Sequence, residues 1–235
     1  MSFLSKFFER SKSVSLDGLT DWHSHILPGV DDGVETLEES LEILAGYEEL
    51  GIRQVWLTPH IMEDLPNTPA KLRARFEQLC QAYSGPLKLH LAAENMIDNL
   101  FLQRLEADDL LPIGPKGDML LVETSYFNAP MRLFETLDQI KAKGYYPLLA
   151  HPERYNYITD FSTYKMLRDR GVRFQLNLLS ISGHYGPVAR QKARRLLAEG
   201  YIDRVGSDLH RIDHLDALGD LKADSETLEL LARFR

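Results

Sequence analysis

The chain has 235 residues, of which 44% are hydrophobic and 26% charged, a balance that suits one sizeable domain with a buried core and argues against disorder. Its 35 acidic and 27 basic residues leave a formal charge of −8 with no lysine/arginine run, which speaks against a nucleic-acid partner. Cys80 is the only cysteine, so an intrachain disulfide and a thiolate metal cluster are excluded, and a reducing cytoplasmic setting is expected.

The chain opens on MSFLSKFFER, which has no long apolar core and no small-residue cleavage site of a secretory signal. Residues 1–18 read as an N-terminal extension and 19–235 as a single domain. Phe3, Leu4, Phe7 and Phe8 can form a short amphipathic tether, although packing of the terminus on the domain is the preferred reading. No transmembrane segment is expected, because no stretch approaches the ~20 apolar residues that span a bilayer.

From there short apolar runs alternate with amphipathic stretches, the pattern of βα units and a parallel sheet. Strands are predicted at Leu19–His23, Gln54–Thr58, Leu87–Ala92, Met119–Glu123, Tyr146–Ala150, Arg173–Leu178 and Arg204–Ser207. Helices are predicted at Glu35–Leu50, Pro69–Tyr83, Met131–Lys143, Phe161–Arg170 and Pro187–Glu199. Gly51, Gly144, Gly171 and Gly200 stand where helices end. Cys80 falls in a helical pattern, where packing is its expected role. A closed or distorted (β/α) barrel fits this alternation better than an open sheet.

Ionisable residues gather at or just past the C-terminal end of nearly every strand. They occur in Asp21-Trp-His23-Ser-His25, Thr58-Pro-His60, Ala93-Glu94-Asn95, Glu123-Thr-Ser, His151-Pro-Glu-Arg154 and Ser207-Asp208-Leu-His210. Active sites of α/β barrels sit on that face. His23 and His25 are two apart, so in extended backbone both rings point to one side and two nitrogens can reach one cation. Asp208 and His210 repeat the spacing. One such pair is weak evidence, but the whole set would otherwise require many unpaired polar groups at a cost of several kcal/mol each.

The segments DWHSHILPGVDDG, TPH, AAEN, VETSY, AHPERY and SDLH closely resemble the polymerase-and-histidinol-phosphatase (PHP) superfamily. HSHILPGVDDG and AHPERY are most similar to the bacterial metal-dependent protein-tyrosine phosphatases of capsule and exopolysaccharide systems (CpsB/CapC type). The resemblance runs from Asp21 to His210 and implies a distorted (β/α)7 TIM-like barrel holding three divalent metal ions. In it His23, His25, Glu94 and Asp208 hold the first ion. Glu94 bridges to a second, held with Glu123 and His151, and Asp32, His60 and His210 hold the third. Nitrogen and oxygen donors without thiolate suit manganese, iron or zinc, with manganese first.

Three such ions bring about +6 against −4 from Asp32, Glu94, Glu123 and Asp208, a surplus that attracts a phosphate monoester. They also lower the pKa of bound water from ~16 towards ~7, giving a hydroxide for attack on phosphorus. A cysteine nucleophile is excluded, because position 86, where a Cys-x5-Arg loop needs arginine, is Pro86. Arg154 is expected to clamp the phosphoryl group, with an ion pair to Glu153 as its plain alternative. Arg211 and His214 are weaker candidates for the phosphate or the leaving oxygen. Asp21 is expected to orient a ligand histidine. His90 reads as structural, whereas His184, Tyr126, Phe127, Tyr155 and Tyr185 can border the site or pack. The implied substrate is phosphotyrosine on a protein, the tail of a membrane tyrosine autokinase of polysaccharide export. A small-molecule phosphomonoesterase, such as histidinol-phosphate phosphatase, is the alternative.

Overall fold

A computed structural model describes residues 11–235, so the proposed contacts of Phe3, Leu4, Phe7 and Phe8 lie outside the described residues. The strands are β1 (Lys12–Ser13), β2 (Thr20–Ser24), β3 (Gln54–Leu57), β4 (His60–Ile61), β5 (Lys88–Leu91), β6 (Glu94–Met96), β7 (Met119–Glu123), β8 (Tyr146–Ala150), β9 (Arg173–Asn177), β10 (Arg204–Gly206) and β11 (Lys222–Ala223). The helices are α1 (Leu37–Glu49), α2 (Pro69–Ala82), α3 (Asn99–Ala107), α4 (Leu133–Ala142), α5 (Ser162–Asp169), α6 (Leu178–Ser182), α7 (Gly186–Ala198), α8 (Ile212–Gly219) and α9 (Ser225–Leu231).

The fold is mixed α/β, and its parallel sheet curves as a half-barrel. Three strands pair in the order β2-β3-β5 and six in the order β10-β9-β8-β7-β6-β4, all parallel. Pro59, which has no N–H to donate, separates β3 from β4, and the pairing passes from one sheet to the other there. At the end of β2 and just past the end of β10, Ser24 bridges Leu209 in parallel, and Asp208 N donates to His23 O at 2.7 Å. The register between β2 and β3 shifts between Asp21 and Ser24, a local irregularity that falls within the HxH segment.

All five residues of β7 are buried, as expected of a strand covered on both faces. Alternation divides them: Leu120 and Val122 join the large core, while Met119 and Leu121 join a smaller cluster with Trp56, Leu148 and Ala150. Glu123 therefore continues the face of Met119 and Leu121 past the apolar plug. That is how a buried carboxylate comes to stand over an apolar floor. The helices start where side chains can accept their first N–H groups. Thr36 accepts from Glu39 N at 3.2 Å, and Thr68, followed by Pro69, accepts from Lys71 N at 3.2 Å.

Four helices were not expected. Among them α3 is capped by Asp98 and α6 by Asn177, directly at the end of β9. β1 and β11 pair antiparallel, and Val14 and Leu16 are buried in the core, so residues just before β2 pack with the domain. Cys80 corrects the packing expectation. Leu72 and Leu79 are the buried leucines of α2, and one residue further the helix turns by ~100°, which leaves Cys80 exposed.

Candidate metal centre

Four donors from three strand ends meet at the deepest point. His23 Nε2 and His25 Nε2 lie 3.0 Å apart, and Glu94 Oε2 stands 3.1 Å from the first and 3.2 Å from the second. Asp208 Oδ1 is 3.5 Å from each ring. His23, His25 and Glu94 are fully buried and Asp208 nearly so. One atom from each residue lies within 4.8 Å of all the others, a spacing that a single cation can share.

Two further groups adjoin it. His60 Nδ1 lies 3.2 Å from both Glu94 Oε2 and Glu123 Oε1. His151 Nε2 approaches the other Glu94 oxygen at 3.0 Å and Glu123 at 3.9 Å. Toward solvent, Asp32 Oδ1 lies 3.5 Å from His60 Nε2 and 3.6 Å from His210 Nε2, and His25 joins that group. All nine sequence-derived donors thus converge, with Glu94 at the centre and His60 facing two groups.

The rings are aimed by residues that the sequence did not single out. His23 Nδ1 lies 2.8 Å from Gln175 Oε1, which also accepts from His151 N at 3.3 Å, while Gln175 Nε2 donates to Leu176 O. That amide oxygen can only accept, so Nδ1 keeps its proton and Nε2 is the nitrogen left to face a cation. Asp31 does the same for His25, with Nδ1 donating to Oδ2 at 2.8 Å, and also accepts from His60 N at 2.9 Å. Asn177 donates to Asp208 Oδ2 at 3.0 Å. The signals were a polar side chain inside the apolar β9 run and the doubled aspartate of the DDG turn.

Asp21 requires a correction. Its Oδ1 accepts from the backbone N–H groups of His23 and Ser207, and its Oδ2 accepts from the Tyr47 hydroxyl at 2.6 Å. It fixes the backbone under the site and touches no histidine ring. His151 and Asp208 hold left-handed backbone, at φ 32° and 53°, where a non-glycine residue stores strain of about 1–3 kcal/mol. Strand-end donors are turned inward at that cost.

Burial alone would lower the His23 ring, but the Glu94 and Asp208 carboxylates outweigh it and push it up to about 9. His25 likewise moves well above the usual histidine value, with Asp31 and Glu94 overcoming burial. Glu94 and Asp208 are held below the ordinary carboxylate range against burial by the surrounding histidines, joined for Asp208 by Arg154. His60 Nδ1, Glu94 Oε2, Glu123 Oε1 and His151 Nδ1 are buried without a hydrogen-bond partner. Orphaned donor atoms of this kind are costly. Cations would satisfy the first three, which face one another, so these residues fit a group of divalent ions.

Above the donors opens a cavity of about 440 Å³. Arg154 forms an ion pair with Asp208, and its guanidinium lies over the Tyr185 ring at 4.0 Å and the Tyr126 ring at 4.6 Å. The pair with Glu153 does not form; Glu153 is buried and accepts from Ser180 Oγ at 2.6 Å and Asn177 N at 3.1 Å. Arg211, His214 and His184 line the rim, with His214 Nδ1 accepting from His210 N at 3.3 Å. Tyr155 is buried behind His151 and Phe127 is 73% exposed, so of the four aromatic candidates Tyr126 and Tyr185 reach the cavity. His90 stacks on Trp56 and bonds Gln54, as a structural residue does.

Known proteins share this chain's sequence and fold. Tyrosine-protein phosphatase YwqE of Bacillus subtilis (strain 168) is 29% identical over 199 residues, 83% of this chain and 78% of the relative. Tyrosine-protein phosphatase CpsB of Streptococcus pneumoniae is 28% identical over 205 residues, 83% and 84% of the two chains. A crystal structure described with YwqE from Bacillus subtilis and CpsB from Streptococcus pneumoniae, unique metal-dependent tyrosine phosphatases, superposes with a TM-score of 0.77 at 28% identity, covering 92% of this chain and 95% of that one. The lactonase Lmo2620 of Listeria monocytogenes, at 14% identity and a TM-score of 0.52, shares the fold alone. The family model for capsular polysaccharide synthesis, CpsB/CapC, matches residues 19–217, and the chain belongs to that family.

Proposed function

We propose that this chain is a metal-dependent protein-tyrosine phosphatase, a phosphoric monoester hydrolase of capsular or extracellular polysaccharide synthesis. The observation that carries the reading is the convergence of nine nitrogen and oxygen donors beneath Arg154, in a chain matched by the CpsB/CapC model over 19–217. The strand pairings and the Ser24–Leu209 bridge support a distorted (β/α)7 barrel.

Three divalent ions, manganese first, fit the donor groups. His23, His25, Glu94 and Asp208 would hold one, Glu94, Glu123 and His151 a second, and Asp32, His60 and His210 a third, with His60 facing the second as well. Bound there, they supply Lewis acidity that makes water a nucleophile near neutral pH and offsets the charge of the phosphoryl group. Arg154 has donors left beyond its bond to Asp208 and binds phosphoryl oxygens from the cavity wall. Tyr126 and Tyr185, packed on either side of that guanidinium, keep it in place and offer ring faces to the departing tyrosine. Arg211 and His214 line the same cavity and are candidates to serve the phosphate or the leaving oxygen. A phenolate of pKa ~10 needs little proton donation, so a site without a dedicated general acid suits it.

The substrate in this reading is a phosphotyrosine protein, the tail of a membrane tyrosine autokinase. No helix among the described residues is long and apolar enough to cross a membrane, and a cytoplasmic location accords with that substrate. The test compares a phosphotyrosine peptide, p-nitrophenyl phosphate and histidinol phosphate, with and without manganese. Metal-dependent release of phosphate from the peptide is the expected result. Preference for histidinol phosphate would replace this reading with a small-molecule phosphatase.

A further inference from the structure

Helix α7 differs in charge from the rest of the molecule. Gly186–Ala198 carries Arg190, Lys192, Arg194 and Arg195 and no acidic residue, in a chain of net charge −8. Arg194 pairs with Asp224 at 2.8 Å, whereas Arg190, Lys192 and Arg195 form no ion pair among the described residues. Lys192 Nζ donates to a neutral acceptor, Tyr155 O, at 2.7 Å. Arg195 lies over the Phe161 ring at 3.8 Å, and nearby Asp160 is bonded instead to the hydroxyl and N–H of Ser162.

Lys192 and Arg195 line a groove of about 330 Å³ with Val188, Gln191, Asn156 and Phe161. Residues close in sequence line this groove and the metal cavity. On one side Tyr185 lines the cavity and Val188, 59% exposed on the next turn, lines the groove. On the other, Arg154 lines the cavity and Asn156 the groove, with Asn156 N bonded to Tyr126 O at 2.8 Å. A polypeptide leaving the cavity over either edge meets this groove within a few residues, at ~3.3 Å per residue when extended.

We propose that the groove between α7 and the Asn156–Phe161 loop is a docking site for an acidic segment flanking the phosphotyrosine of the protein substrate. The inference rests on the phosphatase reading and adds which peptides the enzyme selects. The chain alone carries −8, so its overall charge gives an acidic polypeptide no attraction. A local cationic strip beside the cavity favours acidic residues where the substrate must enter, which raises the encounter rate and fixes the direction of the peptide. The concave shape, lined by apolar side chains such as Val188 and Ile158 together with polar and cationic ones, fits a peptide better than a flat anionic surface.

The experiment uses the full chain loaded with manganese and has two arms. The first measures kcat/KM for phosphotyrosine peptides with acidic or neutral flanks. The second measures binding of an unphosphorylated acidic peptide by fluorescence anisotropy. The acidic flanks should be preferred about tenfold at low salt, with the preference falling as ionic strength rises. The double variant Gln191→Glu/Arg195→Glu should bring that ratio to about one and abolish peptide binding, whereas Arg195→Lys should keep both. Because each ratio is taken within one protein, a change in folding or metal content cancels. Gln191→Glu alone, which removes no ion pair, should shift the ratio in the same direction. Turnover without flank preference or acidic-peptide binding would overturn the groove and leave the phosphatase reading standing. Peptide binding without turnover of any phosphotyrosine peptide would do the reverse. Binding of phosphatidylglycerol vesicles or single-stranded DNA that the acidic peptide does not displace would also overturn the assignment.

Discussion

The floor and the rim of the metal cavity are built from the same residue types on opposite principles. On the floor, His23, His25 and Glu94 have no solvent exposure, and Gln175 and Asp31 fix the tautomers of the two rings. At the rim, the Asp32 side chain is 64% exposed, and Arg211 and His184 stand open to water. A buried donor cannot find water when its cation leaves, so the floor gains most from occupancy. An exposed donor is solvated either way. In the proposed centre the floor therefore governs whether metal is held, and the rim governs what meets it.

Removing a floor residue should have the largest effect. Glu94 Oε2 faces His23, His25 and His60, and Oε1 faces His151. Glu94→Gln keeps the shape and removes the charge that would hold neighbouring cations in the proposed centre, so turnover should fall by roughly 10³-fold or more, with loss of bound metal. Elemental analysis showing full metal content together with normal turnover would separate Glu94 from the centre.

Arg154 stands between floor and rim, bonded to Asp208 below and bounded by tyrosine rings. Arg154→Ala should lower kcat/KM by about 10²–10³-fold while metal content stays near that of the parent. Activity within twofold of the parent would reduce Arg154 to a partner of Asp208.

Gln175 and Asp32 sharpen the comparison, since one bonds a histidine ring from behind and the other is a proposed ligand at the rim. Gln175→Ala frees the His23 ring to turn and should weaken metal affinity by about 10–100-fold. Asp32→Asn, at a solvated position, should cost about tenfold or less. A larger loss from Asp32→Asn than from Gln175→Ala, measured by competition with a metal indicator, would place the controlling site at the rim.

The floor was more legible in the sequence than its supports. Met119–Glu123 and Tyr146–Ala150 form strands at their expected bounds, because strands covered on both faces are unbroken apolar runs ended by a polar residue. The strand-end rule pointed to eight of the nine residues that the structure brings together, and Asp32 of the DDG turn came from the family resemblance. It did not locate Gln175, which lies inside a strand, nor separate Asp31 from Asp32, since adjacent aspartates in a turn differ only in direction. Asp21 misled for a related reason. Alternation places it on the His23 side, but a carboxylate two residues before an N–H closes an Asx turn as readily as it reaches a ring. Helices of five to eight residues, such as α6 and α8, carry too few turns to show a 3.6-residue period.

The smallest effect separates floor from rim by proton competition. In the metal-free protein His23 is raised to about 9, because the Glu94 and Asp208 carboxylates outweigh burial, so its ring is protonated at pH 7. A cation taking Nε2 must displace that proton, and below the raised value each displaced proton costs about tenfold in apparent affinity per pH unit. The rim histidine His210 moves the other way, lowered to about 4 by burial and by His25, and is already neutral. Manganese affinity should therefore rise at least about tenfold per unit between pH 7 and 8, with the proton released from the floor. Stability moves in the opposite sense. A histidine raised above its unfolded value of 6.5 stabilises the metal-free fold fully below 6.5, and this contribution is lost as pH climbs through about 9. The gap in melting temperature between manganese-loaded and chelated protein should widen by a few degrees from pH 6.5 to 8. Calorimetric titration in buffers of different ionisation enthalpy counts the protons released. Affinity independent of pH, with no proton released, would mean that His23 does not face a cation.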